Sequence, residues 1–298
     1  MRVLDSLVAV SHNPIALRSA AYPGCSRPDN CIQSTFSRCA PNSPLRLVIY
    51  NIRYATGTGP AFHLPVPGAG YLRSNPRVLT GITRFLREEQ ADLVGLIEVD
   101  SGSVRTGMLD QAEHIAAEIG HYSTFQCKYG VSSLNMLLPI VRKQGNALLS
   151  APHVHEKRFH YFDTGIKRLI IELELEDVCI FLVHLSLKFR HRQYQLRALH
   201  DLLLTKRKPV IVAGDFNTFW GTHEIYLFMR AAGLRSANTA GLASFPARAP
   251  RIELDFILVS EQIEVSDFHV PDVRFSDHRP LVCDFQVRGP ETAHGVVA

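Results

Sequence analysis

The segment that most constrains the fold of this chain is residues 209–218, Pro-Val-Ile-Val-Ala-Gly-Asp-Phe-Asn-Thr. Its four consecutive apolar residues, Val210 to Ala213, predict a short β-strand that is buried on both faces. Asp215 and Asn217 follow with one residue between them, so both side chains point to the same side of an extended segment. A carboxylate and an amide held together in this way suit a divalent cation or a phosphoryl oxygen. An ordinary strand-to-loop turn is the alternative, because Gly, Asp and Asn are common turn residues.

Similar apolar runs recur along the chain and alternate with helical patterns. Strands are predicted over residues 45–51, 92–98, 122–129, 145–150, 168–175, 178–185, 254–259 and 281–287. Helices are predicted to start near residue 75, to cover about 109–119, to follow residue 187 with a buried leucine face, and to cover 225–232. Because no domain break interrupts this alternation, we expect one layered domain over residues 45–288.

The two ends of the chain differ from this pattern. Residues 1–44 have no sustained periodicity and are predicted to form a disordered leader, with a targeting segment or an over-extended start as alternatives. Residues 289–298 are predicted to be a short tail. Cys25, Cys31 and Cys39 lie in the leader and could pair if the protein is exported.

Composition excludes several classes of protein. The 298 residues are 46% hydrophobic and 20% charged, which is typical of a globular protein with a sizeable core. The formal net charge of +4 is too small to indicate non-specific binding to nucleic acid by charge alone. No apolar run approaches the roughly 18–20 residues of a membrane-spanning helix. We therefore expect a soluble monomer without a transmembrane segment, with the cytoplasm favoured.

Polar side chains collect at the ends of the predicted strands. For any one of them a structural role is a reasonable alternative: Glu98 could be a solvated strand end, and His184 a hydrogen-bonded core histidine. Asp255 differs because it lies inside the apolar run 252–259, where a buried charge is costly unless it is paired. His278 and His184 are the available partners. The complete set is Asn51, Glu98, His184, Asp215, Asn217, Asp255, Asp277 and His278.

Seven short motifs, taken in order, carry a resemblance to a known family. They are Tyr50-Asn51-Ile52-Arg53, Leu96-Ile97-Glu98-Val99, Gly145-Asn146-Ala147, His184-Leu185-Ser186, Gly214-Asp215-Phe216-Asn217, Leu254-Asp255-Phe256-Ile257 and Ser276-Asp277-His278-Arg279-Pro280. Together they resemble the endonuclease/exonuclease/phosphatase superfamily, which includes deoxyribonucleases, abasic-site endonucleases, inositol polyphosphate phosphatases and neutral sphingomyelinases. The resemblance covers roughly residues 45–288. It implies an α/β fold, a four-layered α/β/β/α sandwich whose two mixed β-sheets lie face to face with helices on both outer sides.

The resemblance also implies metal-dependent hydrolysis of a phosphoester. Glu98 would be the main metal ligand, assisted by Asn51, and Asp277 would lie beside the ion. Hard oxygen ligands favour Mg²⁺ or Mn²⁺ over zinc. One position departs from the family pattern, because Ile97 stands where a glutamine is common.

The remaining matched positions imply the catalytic roles. Asp215 would orient or deprotonate the attacking water, and Asn217 would bind a phosphoryl oxygen. His184 would donate a hydrogen bond to a non-bridging oxygen. His278 would approach the phosphate from the other side, held in its tautomer by Asp255. In-line displacement at phosphorus needs these functions: a positioned water, neutralised charge and help for the leaving oxygen.

The substrate is less constrained than the reaction. Lys188, Arg190 and Arg192 follow His184 closely and are predicted to rim the site, with Arg53 and Asn146 as further substrate contacts. A solvated helix start is the alternative for the three cations. A nucleic acid is the expected phosphodiester substrate, and a lipid, sphingomyelin or inositol-phosphate headgroup is the alternative. An exposed loop 57–70 would then fit as an apolar lip that faces lipid, and packing of this loop on the body of the domain is the alternative. A non-catalytic binding protein of this fold is the third hypothesis, and it is weakened because every expected catalytic position is filled.

Overall fold

The computed structural model describes residues 18–19, 43–58, 74–128 and 139–288. Within these ranges the chain forms thirteen strands and four α-helices. In chain order they are β1 Arg18–Ser19, β2 Leu45–Asn51, α1 Pro76–Glu88, β3 Leu93–Asp100, α2 Gln111–Ile119, β4 Tyr122–Cys127, β5 Gln144–Ser150, β6 Glu156–Tyr161, β7 Leu169–Glu174, β8 Cys179–His184, α3 Phe189–Leu203, β9 Val210–Asp215, α4 His223–Ala231, β10 Leu234–Ser236, β11 Asp255–Ser260, β12 Ile263–His269 and β13 Leu281–Val287.

The strands form two mixed sheets. The first sheet has the order β1-β6-β7-β8-β9-β11-β10, and the second has the order β12-β13-β2-β3-β5-β4. Each sheet contains one parallel pair, β8 with β9 in the first and β2 with β3 in the second, and the other pairs are antiparallel.

Three apolar cores separate four layers. The central core packs the two sheets face to face through residues such as Ile97, Leu182 and Ile257. On the outer side of the first sheet, α3 and α4 contribute Leu199 and Phe228 to a second core. On the outer side of the second sheet, α1 and α2 complete a third core. Buried side chains of this size contribute about 1.5–3 kcal/mol each. The predicted α/β/β/α sandwich is therefore confirmed.

The start of α1 follows the sequence signal. Asn75 has an extended backbone, and its Oδ1 accepts a hydrogen bond from the Arg77 amide at 3.0 Å. Pro76 occupies the first helical position, where its missing amide hydrogen leaves no bond unmade. The cap and the proline therefore fix where this helix begins.

Four strands are not indicated by the sequence patterns: the two-residue β1 and the strands β6, β10 and β12. β6 was missed because three of its six residues are charged, and Arg158 in it pairs with Glu172 and Glu174 of β7. β12 is an edge strand with several exposed polar residues, so it lacks an apolar run. β10 has only three residues.

Several expectations fall wholly or largely on residues that the structure does not describe. The leader predicted for 1–44 lies outside the described residues except for residues 43–44 and Arg18–Ser19, which pair with β6. Most of the loop 57–70 and nearly all of the tail 289–298 also lie outside them. In the described ranges, no helix is both long enough and apolar enough to cross a bilayer.

Candidate active site

Asp215, the last residue of β9, lies between the ends of two neighbouring strands of the first sheet. His184 at the end of β8 is its parallel neighbour, and Asp255 at the start of β11 is its antiparallel neighbour. His184 Nε2 lies 3.2 Å from Asp215 Oδ2. All three side chains are buried, with at most 4% of each residue exposed. Pairing between strands, rather than a local turn, therefore assembles this half of the site.

Gly214 allows β9 to lie against β8 immediately before Asp215. Its φ is +143°, and a Cβ added there would lie 1.9 Å from the carbonyl oxygen of Val183. A side chain at this position would therefore disrupt the strand pairing that positions Asp215.

The second sheet contributes the opposite wall through Asn51, the last residue of β2. Asn51 Nδ2 donates a hydrogen bond to Asp215 Oδ2 at 3.1 Å, so this bond crosses between the two sheets. Asn51 Oδ1 accepts from the Arg53 amide at 3.2 Å. Asn217, which follows β9 of the first sheet, also contacts Asp215: its backbone amide donates to Asp215 Oδ1 at 3.0 Å. The side-chain Nδ2 of Asn217 donates to the Leu185 carbonyl at 2.9 Å. The second hydrogen of that Nδ2 remains for another acceptor.

Of the two histidines that the sequence offers as partners for Asp255, His278 is the one that pairs with it. His278 Nδ1 lies 2.7 Å from Asp255 Oδ2, which also accepts from Ser244 Oγ at 2.6 Å. The other histidine nitrogen, Nε2, lies 4.0 Å from Asp215 Oδ2. Burial by itself would lower the pKa of His278, but the charges of Asp255 and Asp215 outweigh it and raise that pKa to about 10. His278 is therefore an imidazolium at neutral pH, with Nε2–H as a donor beside Asp215.

Glu98 lies where β3 is interrupted by a bulge. Its φ is +56°, and the register between β3 and β5 shifts between Leu96 and Val99. Asn146 on β5 accepts a hydrogen bond from the Glu98 amide at 3.3 Å. Because a left-handed backbone is costly for a glutamate, the bulge is a strained feature that turns this side chain away from the regular strand direction.

Two lysines that the sequence did not single out flank Glu98. Lys167 Nζ lies 3.9 Å from Glu98 Oε1 and contacts His184 Nε2. Burial would raise the pKa of Glu98, but the positive charges of Lys167, His184 and Lys128 hold that pKa below its ordinary value. Burial lowers the pKa of Lys128 to about 8. The carboxylate of Glu98 is therefore ionised.

The signal for Lys167 was present in the topology rather than in any motif. Lys167 stands just before β7, which runs antiparallel to β8. The start of β7 therefore lies at the same sheet edge as His184, which ends β8. The sequence predicts that these two strands pair, and that pairing by itself puts the residue before the first strand beside His184.

Arg53 and Asp277 lie together at another side of the site. Arg53 Nε is 3.9 Å from Asp277 Oδ2, whose other oxygen accepts from Ser276 Oγ at 3.0 Å. Arg53, Tyr54 and Ala55 all have positive φ, between 46° and 57°. Three consecutive non-glycine residues in the left-handed region are unusual, and such strain is concentrated at functional sites.

The three cations predicted to rim the site, Lys188, Arg190 and Arg192, lie at the start of α3 and differ in exposure. Lys188 and Arg190 are exposed. Arg192 is 1% exposed, pairs with Glu224, and donates to the Ser186 and Leu187 carbonyls at 2.7 and 3.1 Å. The prediction that Arg192 binds substrate is therefore wrong. The reason is helical periodicity, which places residue 192 on the buried face with Leu196 and Leu199.

The side-chain chemistry of Glu98, Asn51 and Asp277 suits a hard divalent cation. The carboxylate of Glu98 is ionised and its side chain is 15% exposed, so it is accessible from the site. The Asn51 oxygen has one lone pair beyond its bond to Arg53, and Asp277 offers a second carboxylate. Carboxylate and amide oxygens are the ligands that Mg²⁺ prefers.

Two other groups of side chains in the described residues have metal-like spacing. Ligand atoms of Asp215, Asp255 and His278 all lie within 4.8 Å of one another, but His278 Nδ1 and Asp255 Oδ2 already bond to each other. Glu172, Glu174 and Cys179 form the second group. Glu172 is already bonded to three side chains, those of Arg158, His160 and Lys206. Both groups therefore already have side-chain partners, and neither offers a set of free ligands.

Comparison with known proteins identifies the family. The model of the endonuclease/exonuclease/phosphatase family matches residues 49–278, which is most of the chain. The chain belongs to this family. A UPF0294 protein of Yersinia pseudotuberculosis is 31% identical over 151 residues, which are 50% of this chain and 51% of that protein. The match thus spans about half the length of that relative.

Solved structures show the same fold. A family protein from Bacteroides thetaiotaomicron superposes with a TM-score of 0.64 at 15% identity, covering 84% of this chain and all of that one. The human nocturnin catalytic domain, solved with a bound sulfate anion, superposes with a TM-score of 0.59 at 22% identity, covering 82% of this chain and 94% of that one. At these identities the likeness concerns the fold. Family members are in general hydrolytic phosphoesterases.

Proposed function

We propose that this member of the endonuclease/exonuclease/phosphatase family is a divalent-metal-dependent phosphodiesterase that uses water as its nucleophile. The observation that carries the proposal is the arrangement around Asp215. Oδ2 of this buried carboxylate accepts a hydrogen bond from Asn51 of the second sheet and lies near His184 and His278. His278 in turn is hydrogen-bonded to Asp255 and faces the Asp215 carboxylate with its Nε2 at 4.0 Å. A carboxylate with a purely structural role would not need this additional charged partner.

Asp215 is suited to orient the attacking water, because an ionised carboxylate can accept a hydrogen bond from it. Burial would raise its pKa, but the hydrogen bond and charge of His184, with His278 and Lys167, hold that pKa well below its ordinary value. Asp215 is therefore an anion that can hold a water by hydrogen bonding. As the water oxygen attacks phosphorus, its proton passes toward Asp215 while the bond from phosphorus to the leaving oxygen breaks.

His278 is suited to act on the phosphate as a donor. Asp255 fixes the proton at Nδ1, so Nε2–H points toward the reacting group and can donate to a phosphoryl or leaving oxygen. His184, Lys167 and the second amide hydrogen of Asn217 are further donors for the equatorial oxygens. Together they stabilise the charge that develops in the transition state.

Glu98, Asn51 and Asp277 are the residues that we propose hold the metal ion. Asn146 fixes the bulge that presents Glu98. When bound, the ion would polarise a phosphoryl oxygen and neutralise negative charge. Mg²⁺ or Mn²⁺ suits this donor set.

Nucleic acid remains the substrate predicted from the sequence. The exposed cations Lys188 and Arg190, together with the partly buried Arg53, are candidate contacts for backbone phosphates. One structural observation favours the lipid alternative: large apolar side chains, including Phe189, are exposed beside these cations.

The proposal is tested by hydrolysis assays with the full chain. Bis(p-nitrophenyl) phosphate and p-nitrophenyl phosphate separate diesterase from monoesterase activity, and plasmid DNA, RNA and phospholipid vesicles identify the substrate class. We expect diester hydrolysis that requires Mg²⁺ or Mn²⁺ and that EDTA abolishes. His278→Ala should lower turnover by roughly 10³-fold or more.

Glu98→Gln tests the metal assignment separately. It should raise the Mg²⁺ concentration needed for half-maximal activity while leaving the melting temperature near that of the wild type. An unchanged metal titration would remove Glu98 from the metal site. Full activity in EDTA would refute the metal-dependent mechanism as a whole.

A further inference from the structure

Four large apolar side chains are exposed at the catalytic end of the first sheet. Leu187 lies between β8 and α3, Phe189 is the first residue of α3, and they are 58% and 49% exposed. Phe219 and Trp220 lie between β9 and α4 and are 42% and 75% exposed. We call these four residues the apolar rim. Clustered exposed residues of this kind usually mark an interaction surface.

Both halves of the apolar rim are fixed to one buried ion pair. Arg192 donates to the Leu187 carbonyl at 3.1 Å, and the Trp220 amide donates to Glu224 Oε1 at 2.9 Å. Arg192 and Glu224 pair with each other, and each side chain is 1% exposed. Because the same pair holds both segments, they lie side by side and their exposure is a feature of the ordered fold.

The apolar rim continues into the active site. The rings of Phe219 and Phe245 pack edge to face with centroids 6.3 Å apart. The ring of Phe245 in turn lies 5.0 Å from that of His278. A partner that covers the rim would therefore border the entrance on the His278 side.

Within the two segments that carry the rim, the exposed acidic and basic charge has one sign. Lys188 and Arg190 are interleaved with Leu187 and Phe189 and are exposed. Residues 185–200 contain no acidic residue, and Glu224, the sole acidic residue of 216–231, is buried against Arg192. The surface therefore combines exposed apolar groups with positive charge and complements an anionic, partly apolar partner.

From these observations we propose that the apolar rim, with Lys188 and Arg190, docks the protein onto an anionic phospholipid membrane. Trp220 and the two phenylalanines suit the headgroup boundary of a bilayer, where aromatic side chains are enriched. Leu187, and Leu227 on α4 with 80% exposure, favour a lipid over a nucleic acid because aliphatic side chains have no ring on which a base can stack. Docking there would place the catalytic entrance close to lipid headgroups.

The test uses Trp220 as its own reporter, because it is the one tryptophan of the chain. The full-length protein is mixed, in EDTA, with phosphatidylcholine vesicles that contain or lack about one third phosphatidylglycerol. We expect co-sedimentation and a blue shift of tryptophan emission with the anionic vesicles, both weakened as salt rises. Because hydrolysis is not needed, a negative result here is distinct from a failure of the proposed phosphodiesterase activity.

Matched variants locate the contact. Leu187→Ser combined with Phe189→Ser should weaken vesicle binding at least about tenfold, and Lys188→Glu combined with Arg190→Glu should do the same. Leu204→Ser is the control, because Leu204 is 69% exposed at the opposite end of α3. It should bind as the wild type does. Circular dichroism melts check that each variant is folded.

Two results would overturn the proposal. One is absence of co-sedimentation and of any emission shift with anionic vesicles. The other is equal loss of binding in the rim variants and in Leu204→Ser, which would make the binding non-specific. Quenching of Trp220 by single-stranded oligonucleotides in place of a vesicle response would assign the same surface to nucleic acid and refute the membrane assignment.

Discussion

Replacing Arg192 should destabilise the fold rather than weaken substrate binding. Its guanidinium is 1% exposed, pairs with Glu224, and donates to two backbone carbonyls, those of Ser186 and Leu187. Arg192→Met removes these bonds and leaves the Glu224 carboxylate buried without its partner. Breaking a buried ion pair in this way costs about 3–5 kcal/mol. For a chain of this size that corresponds to a fall in melting temperature on the order of 10 °C.

The assay is urea and thermal unfolding, followed by Trp220 fluorescence. The paired variant Arg192→Met/Glu224→Met is the informative control, because it removes both charges from the interior. We expect it to recover most of the lost stability, since buried ion pairs can often be replaced by apolar side chains at little cost. The wild type, both single variants and the double variant then form a double-mutant cycle.

Kinetics separate this account from a substrate contact. In the folded fraction of Arg192→Met, KM should stay within about threefold of the wild-type value, because no substrate atom reaches a side chain buried under α3. A variant that melts like the wild type and has a tenfold higher KM would refute the argument from burial and restore Arg192 as a ligand of substrate.

Three further perturbations test other parts of the structure. Asp255→Asn should lower turnover roughly 10³–10⁴-fold and let the pKa of His278 fall from about 10 toward its ordinary value, which NMR titration of the imidazole would detect. Gly214→Ala should destabilise the fold by more than about 1 kcal/mol and reduce activity, because its Cβ would meet a backbone oxygen. Gly233→Ala, also at positive φ but with open space around it, should cost less; equal losses would contradict the clash. Hydrogen bonds from His160, Lys206 and Arg158 lower the pKa of Glu172 to about 2, although burial opposes them. Glu172 therefore stabilises the fold at neutral pH, and this contribution should disappear as the pH falls from about 5 toward 2. The difference in unfolding free energy between wild type and Glu172→Gln should therefore be about 3 kcal/mol at pH 7 and should shrink in acid, and a constant difference would refute the charge argument.

The fold could be predicted from the sequence because its buried strands end in polar residues that follow one another in a fixed order. Asn51, Asp215 and Asp255 each lie at an end of such a strand, and the structure brings them together with His278. Lys167 was missed because its place depends on the antiparallel pairing of β7 with β8, which puts the start of one strand beside the end of the other. No motif in the sequence records that adjacency.

Charge patterns were the least reliable guide. The basic run 188–192 looks continuous in the sequence, yet a helix turns about 100° per residue and sends Arg192 inward while Arg190 faces solvent. β6 was overlooked for a related reason. Arg158 of this strand pairs with Glu172 and Glu174 of β7, so a strand with a polar sequence is held in the sheet partly by ion pairs to its neighbour.

The hydrogen bond from Asn51 to Asp215 has a further consequence for how this protein loses activity on heating. It joins residues 164 positions apart, one on each sheet, and the pair Asp255–His278 joins the first sheet to the segment that enters β13 of the second. Relative sliding of the sheets by one residue, about 3.4 Å, would break both links while leaving every strand intact. On heating, activity should therefore be lost before the circular dichroism signal whenever the two sheets separate before their strands unfold. A state in which the two sheets are formed but not docked should have no activity.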